Sequence, residues 1–218
     1  MSTETYHQLL AGTTGLLLLT AVLQVWGRSL MRAIVLLSLQ GLALAGLVLT
    51  VGLYAGEPQA PLAALLVLGI KAVAMPWAMA RSARLIGETR ERKAEVNTAV
   101  ELIGAAALTL VAYAVSGPIM AGRTEAAQAV PVGISLVLLG FWQLLIRRSA
   151  ITQLVGFLLL DNGIAAVSFL VSGGLPLTIE LGASLDVLLV VLILGVLVVR
   201  IRETHGHVDI TELRELHD

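Results

Sequence analysis

Pro61-Leu-Ala-Ala-Leu-Leu-Val-Leu-Gly-Ile-Lys71-Ala-Val-Ala-Met-Pro76-Trp-Ala-Met-Ala-Arg81 is an apolar run with one lysine at its centre. About twenty apolar residues in a helix are enough to cross the hydrocarbon layer of a bilayer. A charge at the middle of such a helix costs about 2.5–3.5 kcal/mol on insertion scales, so it faces a protein interior or a water path. Two more apolar runs carry the same anomaly, at Asp161 and Asp186. Three buried ionisable residues of both signs in one small chain point to the handling of protons or ions inside a membrane.

The composition agrees. Of 218 residues, 57% are hydrophobic and 13% charged, and the mean hydropathy is +0.91; soluble domains carry roughly 25% charged residues. Aromatic residues make up 4%, too few for a stacking platform that would hold nucleic acid or haem. Cysteine is absent, which excludes disulfides, thiolate-held metal or iron–sulfur centres and a thiol nucleophile within this chain. No Gly-x-Gly-x-x-Gly, P-loop or serine elbow appears, and all four histidines (His7, His205, His207 and His217) are terminal. The chain is expected to be no enzyme by itself and to hold no cofactor. The His205-Gly-His207 pair lies on a tail too short of ligands to make a metal site.

Seven apolar segments are expected to span, at about 8–26, 32–54, 61–84, 98–118, 130–146, 150–172 and 177–199. The first is not a signal peptide, since Met1–His7 has no Lys or Arg and the apolar run exceeds an h-region. Twelve of the fourteen Lys and Arg fall on one side: Arg28, Arg32, Arg81, Arg84, Arg90, Arg92, Lys93, Arg147, Arg148, Arg200, Arg202 and Arg214. By the positive-inside rule the N-terminus is outside and the C-terminus cytoplasmic.

Laid side by side, the segments show an internal repeat. Gln24-Val-Trp-Gly-Arg-Ser29 closes the first segment as Trp142-Gln143-Leu-Leu-Ile-Arg-Arg-Ser149 closes the fifth. Gln40-Gly41-Leu-Ala43 in the second matches Asn162-Gly163-Ile-Ala165 in the sixth, and Pro61-Leu62 and Pro176-Leu177 open the third and seventh. Ten residues beyond each proline stand Lys71 and Asp186. The fourth segment is a connector, which makes the two three-helix repeats parallel. The expected fold is therefore all-α and membrane-integral, with a first repeat at 1–84, a cytoplasmic loop and connector at 85–129, a second repeat at 130–201 and a cytoplasmic tail at 202–218.

At 1.5 Å per residue, Lys71 lies about 15 Å from each end of its segment, Asp161 about 18 Å and Asp186 about 14 Å from the start of its own. Gln40 and Asn162 fall at similar depth. These five form one polar layer near the midplane. Pro76 cannot donate to the carbonyl of Ala72 and is expected to kink the helix beside Lys71. Lys71 has two candidate partners, Asp161 and Asp186, so one acid is left over; this favours a proton relay over a static ion pair. Glu101 and Glu180, a few residues inside their helices, are candidate entry or exit groups for the same path, though boundary glutamates are commonly just solvated. Gln153 reads as a packing hydrogen bond.

With these residues in place the pattern resembles the component E family of hydrogenase-4-type complexes. The resemblance covers essentially the whole chain and is densest in Gln153-Leu-Val-Gly-Phe-Leu-Leu-Leu-Asp-Asn-Gly163 and Glu180-Leu-Gly-Ala-Ser-Leu-Asp186, with Gly69-Ile-Lys71…Pro76 as the lysine helix. The last three segments are also similar to the K subunit of complex I and the C subunit of Mrp-type antiporters. That small subunit carries two intramembrane glutamates; Asp186 stands where the second would be, whereas the first aligns near Leu158, with Asp161 one turn further on. The resemblance implies a non-catalytic, multi-pass subunit of the plasma (inner) membrane. Its partners would be antiporter-like membrane subunits, a peripheral redox arm and the lipid bilayer, with no nucleic acid. Its task would be to couple electron transfer to movement of protons or sodium. Two other readings compete: a stand-alone small-solute transporter, and a structural spacer whose buried charges pair statically.

Overall fold

The computed structural model describes residues 2–27, 29–86, 97–120, 125–147 and 149–172. The seventh expected segment with Glu180 and Asp186, most of the 85–96 loop and the 202–218 tail lie outside the described residues. Among those described, every regular element is helical. In a bilayer no water satisfies backbone N–H and C=O groups, and a helix satisfies its own.

Helix α1 (Thr3–Trp26) starts earlier than its apolar content suggests. Ser2 caps it, its hydroxyl accepting from the Thr5 N–H, and Glu4 stands in the first turn. Helix α2 (Leu30–Ala55) ends at Gly56, whose φ of 77° is the left-handed cap that favours glycine. The third span is continuous but changes pitch: α3 (Ala60–Val67), a π-helical stretch (Leu68–Ala74), then α4 (Met75–Ile86). Asn97 caps α5 (Thr98–Val115) through its side-chain oxygen. A short α6 (Gly117–Met120) and a 3-10 turn (Glu125–Ala129) lead into α7 (Val130–Ile146), and α8 (Ala150–Ser172) follows. Pro61 and Pro131 sit in the first turns of α3 and α7, where the missing N–H costs nothing.

Six of these helical stretches are long and apolar enough to cross a membrane: Thr3–Trp26, Leu30–Ala55, Ala60–Arg81, Thr98–Val115, Glu125–Ile146 and Ile151–Ser172. They correspond to the first six expected segments. Successive spans run antiparallel, so the described ends sort into two groups. At one end Tyr6 stacks on Tyr54, ring centroids 3.8 Å apart, and His7 Nε2 meets Glu125 Oε2 at 3.3 Å. At the other, Arg32, Arg81, Arg84 and Arg147 gather; this is the basic end.

Packing is closest between α7 and α8 and between α1 and α2. Small residues allow it. A Cβ on Gly140 would fall 2.6 Å from the Leu160 backbone N, and one on Gly163 2.6 Å from that of Val137. This is the usual device of membrane helices, where lipid removes the hydrophobic drive for association and close backbone contact replaces it. A large apolar cluster built on α1, α2, α7 and α8 includes Leu17, Leu44, Leu136 and Leu170. A second joins α2, α4 and α8 through Ile34, Leu37, Met79 and Leu154. Outside, Leu19, Leu65, Ile103, Leu110 and Leu145 are exposed, as a lipid-facing surface requires. Trp26 and Trp77 are also exposed near the basic end, with the Arg81 guanidinium 5.9 Å over the Trp77 ring. Helix α5, the expected connector, is the least covered of the six spans.

Candidate functional site at mid-membrane depth

Lys71 sits inside the π-helical stretch. There Met75 donates its N–H to the Ile70 carbonyl, five residues back, a register typical of single widened turns at functional positions. Pro76 follows at once. In the five-residue register the carbonyl facing the missing Pro76 donor is that of Lys71 itself, not of Ala72. The expected kink is thus a change of helical pitch centred on the lysine. The widened turn is pressed against α2: a Cβ on Gly41 would lie 2.5 Å from both Ala72 N and the Lys71 carbonyl carbon. Only a glycine admits that approach.

From this turn the Lys71 side chain, 1% exposed, reaches across to α8 and puts Nζ 2.7 Å from Asp161 Oδ2. The Asp161 side chain keeps 14% exposure. Of the two acids the sequence offers to Lys71, Asp161 is therefore in direct contact. Leu158, one turn earlier on α8, is 2% exposed within the second apolar cluster, and the acid on this helix stands at position 161.

Beside the ion pair runs a ladder of buried amides. Asn162 Nδ2 donates to Gln40 Oε1 at 3.2 Å, and Gln40 Nε2 donates to Gln24 Oε1 at 3.2 Å. Gln40 and Asn162, expected at similar depth, hydrogen-bond to each other, and Asn162 directly follows Asp161 on α8. Gln24, which the sequence marks only as a helix-end repeat position, extends the ladder towards the basic end.

At the basic end a second buried ion pair appears. Arg147 Nη2 lies 3.4 Å from Glu101 Oε2 and donates to the Val25 carbonyl at 2.9 Å, with side chains only 5% and 1% exposed. Glu101 is thus neither solvated nor at the protein surface. It lies apart from the midplane layer, joined instead to the ends of α1 and α7. Arg147 counts in the sequence as a topogenic charge; its pairing has no local signal, because the partner comes from a helix 46 residues away. Gln153 Nε2 donates to the Arg147 carbonyl at 3.0 Å, the expected packing bond.

Among the described residues no group of three or more His, Asp or Glu converges as a metal site. What the arrangement offers chemically is a lysine–carboxylate pair on a distorted helix, flanked by amides that orient but do not titrate.

No protein-family model matches the chain, and no solved structure matches it. It is distantly related to hydrogenase-4 component E of Escherichia coli and of Shigella flexneri, with 28% identity over 147 residues, 67% of this chain and 68% of each relative. That stretch is shorter than the whole-chain resemblance expected from sequence. The similarity to an uncharacterized protein of Mycobacterium tuberculosis runs over 222 aligned positions at 40% identity, covering 100% of both chains. At that identity over their full lengths, the chain belongs to the same family as the Mycobacterium tuberculosis protein Rv0085.

Proposed function

We propose that this chain is a non-catalytic membrane subunit of a hydrogenase-4-like energy-converting complex, in which Lys71 and Asp161 form part of a path for protons or sodium ions. The observation that carries the reading is the direct Lys71–Asp161 contact on a π-helical turn at mid-membrane depth. The distant relationship to hydrogenase-4 component E supplies the setting. An ammonium and a carboxylate 2.7 Å apart can pass a proton between them when a neighbouring subunit changes the hydration of the pair. In this reading Asp186 and Glu180 continue the path on the seventh segment, Glu101 stands at its cytoplasmic edge, and Gln40, Asn162 and Pro76 support it. Antiporter-like subunits and a peripheral redox arm drive it. The C-terminal half corresponds to the K subunit of complex I and the C subunit of Mrp antiporters, and the N-terminus faces outward in the plasma (inner) membrane.

The two-repeat architecture belongs to the same reading. Gln40 and Asn162, equivalent positions of the two repeats, hydrogen-bond to each other, as residues beside a pseudo-two-fold axis do.

A second reading is favoured by the same short contact: a static brace that holds α8 to the third span and moves nothing. Pumping in membrane vesicles separates the two. A relay requires that Lys71→Ala and Asp186→Asn assemble with the complex and pump less. The double substitution Lys71→Met with Asp161→Leu removes the charges together and should also stop a relay. Full pumping in that double variant would establish the brace.

A further inference from the structure

A small cavity opens at the basic end, between the end of α1, the start of α2, the end of α7 and the start of α8. It is walled by Gln24, Ser29, Ala33, Gln143, Arg147 and Thr152, among others, and holds about 20 Å³; a water needs roughly 10–15 Å³ on that measure. Two of the wall residues are glutamines, each 2% exposed. Gln24 Nε2 and Gln143 Nε2 have no hydrogen-bond partner among the described residues. The Gln24 orientation is set by its own oxygen, which accepts from Gln40. A buried amide donor left unmatched is costly, and two on residues that wall one cavity call for an acceptor there.

The chemistry of that acceptor follows from the wall. Among the described wall residues Arg147 is paired with Glu101, so no net charge remains among them to hold an anion, and the volume is too small for a headgroup. Water fits: one molecule can accept from both amides, and polar residues, Ser29 and Thr152, complete the wall. Gln24 then links the cavity to Gln40 and Asn162, and so to the layer of the Lys71–Asp161 pair.

We propose that this cavity is a water-binding site giving the midplane pair its access to the cytoplasmic side. The water site stands on the geometry alone; its role in access rests on the proton-path reading. Because the chain has no cysteine, single cysteines test it in the intact membrane. Ala33→Cys places a thiol in the cavity wall. Ala78→Cys places one inside the apolar cluster that Ala33 flanks, where Ala78 is 4% exposed. Both are exposed to silver ion, close to water in size and charged, from the cytoplasmic face of membrane vesicles, and the thiols it has blocked are read by mass spectrometry after denaturation and alkylation. The thiolate is the reacting form and an apolar site raises a thiol pKa, so one unit of difference makes Ala33→Cys react about ten times faster than Ala78→Cys. Adding Gln143→Leu should close much of that gap. Equal rates at the two positions overturn the water site, and blocking of Ala33→Cys only from the opposite face overturns the direction of access. None of these outcomes involves pumping, so a dry cavity leaves the Lys71 and Asp161 variants free to judge the proton path separately.

Discussion

Lys71 Nζ and Asp161 Oδ2 meet at 2.7 Å across ninety residues of sequence, tying the π-helical turn of the third span to the middle of α8. Both residues are costly in hydrocarbon alone, and each makes the other tolerable. The turn that carries Lys71 packs on Gly41, where α2 approaches so closely that a methyl group would collide with backbone.

Breaking the pair from one side should cost more than removing it. Lys71→Met leaves Asp161 without its cation, and loss of one member of a buried pair costs about 3–5 kcal/mol. Lys71→Met combined with Asp161→Leu should recover most of that stability. Thermal denaturation of the three variants in one mild detergent checks the order; a double variant no more stable than the single one would contradict it.

Gly41→Ala should disturb the turn that presents the lysine. Its methyl would sit 2.5 Å from Ala72 N and Lys71 C, and overpacking of this kind costs about 1–3 kcal/mol. Gly12→Ala and Gly15→Ala are the controls, since nothing lies within 4 Å of a Cβ at either. These should be neutral or slightly stabilising, by up to about 1 kcal/mol, because alanine favours the helix. Melting temperatures should therefore fall for Gly41→Ala alone.

Within the amide ladder, the middle rung matters most. Gln40 bonds both Gln24 and Asn162, so Gln40→Leu orphans two buried groups at about 1–3 kcal/mol each. Gln24→Leu removes one bond of the ladder and takes away an amide donor that has no partner among the described residues. Gln40→Leu is expected to be the more destabilising of the two, as read by denaturation and by yield of folded protein.

At the basic end, Arg147→Lys should behave as a damaging substitution. The guanidinium nitrogen that donates to the Val25 carbonyl also lies by Glu101, and a lysine lacks the rigid fork that serves such geometry. Arg147→Ala goes further and leaves a buried carboxylate uncompensated, at about 3–5 kcal/mol. Arg147→Ala with Glu101→Leu should regain stability, which a double-mutant cycle measures directly.

Much of the architecture was legible in the sequence because the bilayer imposes a simple rule: an apolar run of sufficient length must be a helix. The first six expected segments reappear as α1 to α8 with the ends shifted by caps, as at Ser2. The place of Lys71, Asp161, Gln40 and Asn162 near the middle of their helices was legible too, since a helix rises a constant distance per residue. Pro76 announced a disturbance beside Lys71 through its missing N–H. The form that disturbance takes, a π-helical turn, depends on the backbone of α2 pressing in at Gly41.

Pairing was not legible. Counting residues gives depth along the membrane normal, but it does not say which helix faces which. Hence the sequence offers Lys71 two candidate acids, and only the placing of α8 beside the π-helical turn brings Asp161 to 2.7 Å from it. Glu101 and Arg147 each looked like a boundary charge until α5, α7 and the end of α1 came together and buried both. Gln24 and Gln143 looked like matching helix ends until they faced one cavity. Sequence alone determined that this is a helical membrane protein with ionisable groups at mid-depth, because burial in hydrocarbon is a one-dimensional constraint. Which of those groups touch was decided only by tertiary structure, because contact depends on the lateral packing of helices far apart in the chain.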